Sequence, residues 1–296
     1  MQSKPVAEQL PDLFAPRPIA KGFVAYCLRH PTMSFGALLL ILMLVLAVFA
    51  PWLGTIDPTE LAPIKRTREP SAEHWFGTDA VGRDIYSRVL YGARVSLLVG
   101  FSVAVLASLA GLIIGLLSGF LRKLDGILMR VMDGMMSIPP ILLAIALMAL
   151  TRASVENVIM AITLAEIPRV SRLVRGVVLS LREQPYVDAA VAAGTPTLSI
   201  IVKHILPNTL APLTVQATYI CASAMITESI LSFIGAGTPP IIPSWGNIMA
   251  DGRTLFQVKA YIIFFPAVFL SITVLAVNLL GDGLRDALDP RKAKLS

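Results

Sequence analysis

Six stretches of this chain read as apolar runs long enough to approach or cross a bilayer, and their recurrence limits the fold more than any other property. About 20 apolar residues, rising 1.5 Å each, cover the hydrocarbon of a membrane. The runs are 33–53, 95–120, 126–150, a weaker one opening at Val155, 209–235 and 261–281. Only 15% of the 296 residues are charged and 55% are hydrophobic, with a mean hydropathy of +0.74. A soluble domain of average composition carries roughly 25% charged residues. Too little polar surface remains to clothe a soluble protein of this length. In lipid each backbone group must be satisfied internally, which leaves helices or closed barrels, and runs of this length select helices. The expected fold is an all-α polytopic membrane protein with six transmembrane helices.

The runs carry their own punctuation. Pro139-Pro140, Pro168, Pro212 and Pro266 fall inside or near the start of four of them. Membrane helices tolerate such prolines where neighbours satisfy the freed carbonyls, so kinked helices around a cavity are expected. Gly100, Gly111, Gly115 and Gly119 in the second run include small-xxx-small pairs suited to close helix packing. The fourth run is short, 158–168, and contains Glu166. Arg169, Arg172 and Arg175 follow at spacing three, on one helical face. Val170, Leu173, Val174, Val177, Val178 and Leu181 continue the apolar pattern. The pattern predicts one long helix that leaves the membrane near Arg169, its arginines reaching up to lipid headgroups.

Lysine and arginine set the orientation. With the N-terminus inside, sixteen fall on inner segments and nine on outer ones, six of the nine in the first outer loop. N- and C-termini are therefore expected in the cytoplasm. The division is a cytoplasmic tail at 1–32, a first transmembrane helix at 33–53 and an outer loop with a short helix at 54–94. A core of five transmembrane helices follows at 95–283, then a cytoplasmic tail at 284–296. The first apolar run begins only after a polar, Pro-rich stretch, and no small-residue cleavage site stands out after it, so a cleavable signal is not expected. A net charge of +6 suits an anionic membrane surface, and no nucleic-acid partner is expected.

Several chemistries are missing. There is no G-x-x-x-x-G-K-[ST] phosphate loop, no H-E-x-x-H, and no nucleophile elbow. Cys27 and Cys221 are far apart and suggest neither a disulfide framework nor a metal site. No catalytic, metal or cofactor-binding residue is assigned. Glu166 and Glu228 lie inside or near apolar runs, and a carboxylate there is a functional candidate because burying it in lipid is costly.

Residues 186–208 read YVDAAVAAGTPTLSIIVKHILPN, a polar-ended segment between two runs. Asp188 suits a helix N-terminus, and Ala189, Ala190, Ala192 and Ala193 make a smooth helical surface. Gly194 can take positive φ and end the helix. Thr195-Pro196 opens a second short helix, and Leu206-Pro207 marks the turn back to the membrane. An ordinary amphipathic loop helix would share these features. The segment also resembles the EAA-x3-G-x9-I-x-L-P consensus of bacterial ABC importer permeases. Asp188, Ala189, Ala190, Gly194, Leu206 and Pro207 fall at its spacing. Asp188 replaces the usual Glu, and His204 stands where Ile is usual, with Ile205 beside it.

A second resemblance covers residues 74–290. His74-Trp75-Phe76-Gly77-Thr78-Asp79-Ala80-Val81-Gly82-Arg83-Asp84, then Ser87-Arg88, Gly92, Arg94 and Ser96-Leu97, resembles the signature of C-type permease subunits of dipeptide and oligopeptide ABC importers. The runs at 228–237, Trp245-Gly246 and 278–290 resemble the same branch. Within the first signature, Asp84 and Arg88 are spaced as an i, i+4 ion pair. Its charged residues either organise the outer loop or face a docked protein.

The resemblance implies a type I ABC importer permease in a bacterial inner membrane, forming half of a translocation pathway. It implies a homologous second permease subunit in a heterodimer, two ATP-binding subunits and a periplasmic or extracellular solute-binding protein. ATP and Mg would sit on the ATP-binding partners, with no cofactor in this chain. It makes 186–208 the ATPase-coupling loop and assigns Glu228 a packing or gating role. Short peptides are the implied substrate, with nickel, glutathione and opine-like compounds carried by other members. An ion-coupled secondary transporter using Glu166 and Glu228 is the alternative from another class.

Overall fold

The structure is a computed structural model that describes residues 30–288. Of the tails expected at 1–32 and 284–296, residues 1–29 and 289–296 lie outside the described residues; the first helix already opens at Pro31 and the last runs on to Leu288. Among the described residues there is no strand, only an isolated bridge between Thr78 and Asp84. The principal helices are α1 (Pro31–Val48), α2 (Ile85–Phe120), α3 (Arg122–Met136), α4 (Pro140–Ala149) and α5 (Val155–Arg182). They continue with α6 (Pro185–Ala192), α7 (Thr197–Ile200), α8 (Leu206–Phe233), α9 (Trp245–Gly252) and α10 (Tyr261–Leu288). A π-helical turn, Ile201–Ile205, joins α7 to α8 without a break, so 197–233 is one 37-residue helix.

Four helices are long and apolar enough to cross a membrane: α1, α2, the α7–α8 unit and α10. Taken as one broken span, α3 and α4 make a fifth. The run at 126–150, expected as one span interrupted at Pro139-Pro140, is two helices bent by 86°. The cause is Pro139-Pro140: Pro139 caps α4 and Pro140 opens it, and neither can donate to the preceding turn. The short helix expected in 54–94 is the outer end of α2 itself, which begins at Ile85; a single 3-10 turn at Pro63–Lys65 precedes it.

The glycines of α2 set the packing. A Cβ on Gly111, Gly115 or Gly119 would come within 2.4, 2.5 and 2.7 Å of the Cβ atoms of Val170, Val174 and Val178 on α5. Each glycine therefore seats one valine, and α2 makes its broadest contact with α5. Since both series rise together, α2 and α5 run parallel. The chain between Phe120 and Val155 must return along the bundle, and α3 and α4 make that return. α1 and α10 run antiparallel: Gly36 meets Ala276 and Leu280, and Gly283 meets Met33. The two described ends of the chain therefore lie at the same end of the bundle. α8 packs on α2, where Gly100 meets Cys221 and Met225.

The long helix expected from Val155 is present as α5, capped by Ser154, whose hydroxyl accepts from Asn157 N (3.1 Å). Its arginines do not depend on headgroups for partners. Arg175 makes a two-pronged pair with Asp125 of α3 (2.5 and 2.6 Å), and Arg172 donates to Asp133 (2.6 Å). Arg182 donates to the Gly119 carbonyl at the end of α2 (3.1 Å). The charged face of α3 supplies what water or lipid would otherwise have supplied.

Candidate functional site

The first candidate is the segment at 185–208, at the end of the bundle where α2 and α5 finish. Pro185 opens α6 in the first turn, where a missing N–H costs nothing, and Asp188 also lies in that turn. α6 ends by a Schellman motif: Thr195 N donates to Ala190 O (3.0 Å) and Gly194 N to Val191 O (2.9 Å). The motif needs a left-handed residue, and Gly194 supplies it at φ +73°. Val187 is buried and half-buried Ala190 packs on the core, which seats α6 against the bundle. Asp188, Ala189, Ala192, Ala193 and Gly194 stay exposed, with Val191 (57%) and Leu198 (72%) beside them.

Leu206-Pro207, expected at a turn, lies in the first turn of α8 inside a continuous helix. The π-helical turn takes up the strain that a proline ring places on the preceding turn. Asn208 Nδ2 donates to the His204 carbonyl (2.7 Å), supplying one of the donors this stretch is short of. His204 stacks obliquely on Tyr186, ring centroids 6.1 Å apart, and so ties α6 to the base of α8. Leu206 is half-buried and Pro207 exposed. The structure thus brings Asp188, Ala189, Ala190 and Gly194 together on one small helical hairpin, with His204, Leu206 and Pro207 on the helix it feeds. A cleft of about 490 Å³ opens beside α6, with Arg122, Arg182, Glu183 and Asp188 among its lining residues.

The second candidate is at the opposite end. Asp79 is fully buried; its Oδ1 accepts from Val81 N and Arg83 N (both 2.9 Å). Its Oδ2 accepts from Arg83 Nε (2.6 Å) and from Arg88 Nη1 (2.7 Å). Both arginines also reach Asp251 of α9 (2.7 Å each). The expected Asp84–Arg88 pair does not form. Asp84 caps α2 instead, its Oδ2 accepting from Ser87 N (2.8 Å) and Ser87 Oγ (2.7 Å). Its Oδ1 lies 2.9 Å from Nδ1 of buried His74. Gly77 and Gly82 adopt φ +78° and +86°; a Cβ on Gly82 would strike the Ala62 carbonyl. Thr78 binds Lys65 O and Arg68 N through its hydroxyl. Gly77, Thr78, Asp79, Gly82, Arg83, Asp84, Ser87 and Arg88 all hold the outer loop in shape. Around the rim, hydrogen bonds from Lys259 and Lys65 hold the carboxyls of Glu69 and Glu73 below the usual carboxylate range.

The two buried glutamates are separate. Glu166 on α5 lies 3.3 Å from Arg169, the pairing its spacing allows, and accepts from Ser223 Oγ of α8 (3.3 Å). Glu228 on α8 is fully buried and accepts from Ser232 Oγ (2.8 Å). Ser232 Oγ receives Thr238 N (3.2 Å) and lies 3.2 Å from Thr238 Oγ1. Thr238 Oγ1 takes a hydrogen bond from Asn247 Nδ2 (2.9 Å) and lies 3.3 Å from Ser244 Oγ, the cap of α9. Sequence reasoning missed Asp251, Thr238, Ser244 and Asn247. Ser244 ahead of an apolar helix was a readable cap signal; Asp251, 163 residues from Arg88, gave none.

The sequence model of the family described as "Binding-protein-dependent transport system inner membrane component" matches residues 107–294. The chain is 50% identical over 280 residues to the probable peptide ABC transporter permease protein y4tQ of Sinorhizobium fredii, covering 95% of this chain and 96% of that one. It is 42% identical over 257 residues to the dipeptide transport system permease protein DppC of Alkalihalophilus pseudofirmus, covering 86% and 84%. It is 40% identical over 265 residues to the glutathione transport system permease protein GsiD of Escherichia coli, covering 89% and 87%. Among solved structures, the inward-facing MetNI methionine ABC transporter matches in fold, with a TM-score of 0.56 at 21% identity over 68% of this chain and 96% of that one.

Proposed function

The chain belongs to the family of binding-protein-dependent transport system inner membrane components, and on that premise we propose that it is one permease subunit of an ATP-driven importer of short peptides. A related second permease completes the pathway, two ATP-binding subunits bind ATP and Mg, and a solute-binding protein delivers the peptide outside. The observation that carries this reading is the exposed hairpin α6–Gly194–α7, which flows without a break into the 37-residue helix ending at Phe233. A surface of alanines and one glycine, with Val191 and Leu198 exposed, suits a close-fitting groove on another chain. ATP binding closes the ATPase pair, the seated hairpin shifts, and the helix carries the shift into the bundle. No acid–base step is asked of this chain.

Six crossings with both termini in the cytoplasm fit the helix directions. The parallel run of α2 and α5 supports α3 and α4 together as the intervening crossing, and Met33 beside Gly283 supports a shared face for the two ends. That orientation puts Gly194 inside and the Asp79 cluster outside. The substrate class rests on the relatives, whose names give a peptide, a dipeptide and glutathione, all short peptides in chemistry. The test is reconstitution with the ATP-binding and solute-binding partners in proteoliposomes. Gly194→Arg and Ala190→Glu are expected to abolish ATP hydrolysis stimulated by the binding protein, together with peptide uptake. Uptake that persists with no ATP-binding subunit present would sink the proposal.

A further inference from the structure

We propose that Glu228 is a positioning residue that clamps the outer segment 234–252 to the helix rising from the coupling hairpin, so that the two move as one body. The inference rests on the importer reading and deepens it.

The helix from Thr197 to Phe233 has 37 residues, about 55 Å at 1.5 Å per residue. Its lower end is the hairpin; its upper end stops at a second Schellman motif. Ala236 N donates to Leu231 O (2.8 Å) and Gly235 N to Ser232 O (3.0 Å), with Gly235 at φ +85°. The chain therefore folds back against the helix it has just left. Gly237 and Gly246 press on it so closely that a Cβ on either would come within 2.2–2.8 Å of Ser229 or Ser232. At these two contacts the outer segment offers bare glycine backbone, which leaves hydrogen bonds to set the register.

Those hydrogen bonds have a direction. Ser232 Oγ accepts from Thr238 N, and Thr238 Oγ1 accepts from Asn247 Nδ2. Ser244 Oγ accepts from Asn247 N (3.2 Å). Ser232 gives its one hydroxyl proton to Glu228 Oε1, so across the Ser232–Thr238 contact Thr238 Oγ1 is the donor, and the chain ends on Glu228. Asn247 also donates to the carbonyls of Pro239 (2.9 Å) and Ile242 (3.0 Å), fixing the loop between them. The Glu228 carboxyl keeps an acceptor oxygen for Ser232 whether or not it carries a proton, so it can terminate such a chain. The same segment is anchored to α2 through Trp245, whose Nε1 donates to Val89 O (3.1 Å) and whose N donates to Ser96 Oγ (3.3 Å). Asp251 then ties it to Arg83 and Arg88. Segment 234–252 is thus the link between α8 and the outer loop, and Glu228 is its attachment on the α8 side.

The test uses the assembled transporter with Cys27→Ser and Cys221→Ala, and spin labels at Leu210→Cys on α8 and Ile241→Cys in the outer segment, both exposed positions. The clamp predicts one narrow 210–241 distance that is the same with and without ATP under non-hydrolysing conditions. Thr238→Val, which keeps the shape of the side chain, and Glu228→Ala should each broaden or shift it. Peptide transported per ATP hydrolysed should fall about tenfold, within the usual range of coupling between sites, while ATP hydrolysis itself persists. A distance unchanged by both substitutions, or one that already moves with ATP in the unsubstituted complex, overturns the proposal. If Glu228→Ala does not assemble, Thr238→Val decides alone. Failure of the unsubstituted complex to couple uptake to ATP would instead overturn the importer reading, and the distance measurement would still report on the clamp.

Discussion

At the scale of single residues, the clearest stake is Arg88. It is 1% exposed, deep under the outer loop, with Asp79 and Asp251 as its counter-charges. A buried cation is stable only while its carboxylates are in place, and removing one partner of such a pair costs about 3–5 kcal/mol. Asp79→Ala is therefore expected to lower the melting temperature of the purified protein strongly or to prevent assembly. Asp251→Ala should do less, because its side chain is 26% exposed and water can replace part of what is lost. Equal effects would show that the two carboxylates share the charge evenly. The sequence made Asp79, Arg83 and Arg88 visible as a local cluster, but it suggested Asp84 as the partner of Arg88. Spacing alone could not reveal that Asp84 is consumed in capping α2 and pairing with His74. The true second partner, Asp251, comes from α9, 163 residues along the chain.

Among the helices, the α2–α5 seam and the coupling hairpin use glycine for different reasons. At Gly115 the reason is space: a Cβ would lie 2.5 Å from that of Val174. Gly115→Leu is expected to cost about 1–3 kcal/mol by overpacking, seen as a lower melting temperature. Gly126→Leu, with nothing within 4 Å, should be nearly silent. At Gly194 the reason is conformation: φ is +73° and no atom lies within 4 Å of a would-be Cβ. Gly194→Val there strains only the hairpin, by about 1–2 kcal/mol, so ATP-driven uptake should fall while the melting temperature of the bundle holds. A matching loss of both would mean the hairpin also braces the bundle. The glycine pattern, the long α5 and the glycine-ended hairpin were legible because each is a local periodicity. The bend between α3 and α4 was half legible: Pro139-Pro140 marked the place, but spacing gave neither the 86° angle nor the pairing of the α3 acids with Arg172 and Arg175. The turn expected at Leu206-Pro207 failed because a π-helical turn absorbs the proline, an adjustment with no composition of its own.

For the molecule as a whole, the question is how many times the chain crosses the membrane, since that decides which chemistry each end meets. Four helices qualify by length and composition, and a bent pair makes a fifth. α5 falls short because its lower half carries the arginines paired to α3, yet that same half lies along α2 from Val170 to Val178. Charge counting and helix direction are independent arguments: the first favours residues 186–208 on the side of the termini, and the second sets Met33 beside Gly283, near the two described ends, at one end of the bundle. They differ in what they depend on: one miscounted span reverses the charge argument, whereas the glycine–valine register of α2 and α5 holds whatever the count. Ala153, exposed in the link between α4 and α5, is the position that separates the possibilities. In the six-crossing arrangement a membrane-impermeant maleimide applied to intact cells labels Ala153→Cys and Ile64→Cys, whereas Leu198→Cys reacts only in inverted vesicles. If α3 and α4 instead dip into the membrane and return, and α5 stays on the inner side, Ala153→Cys reacts from the same side as Leu198→Cys. The helix from the hairpin to Glu228 would still cross in that case. The α2–α5 seam, parallel by its glycine–valine register, would then have to form with α5 reaching only part-way into the bilayer.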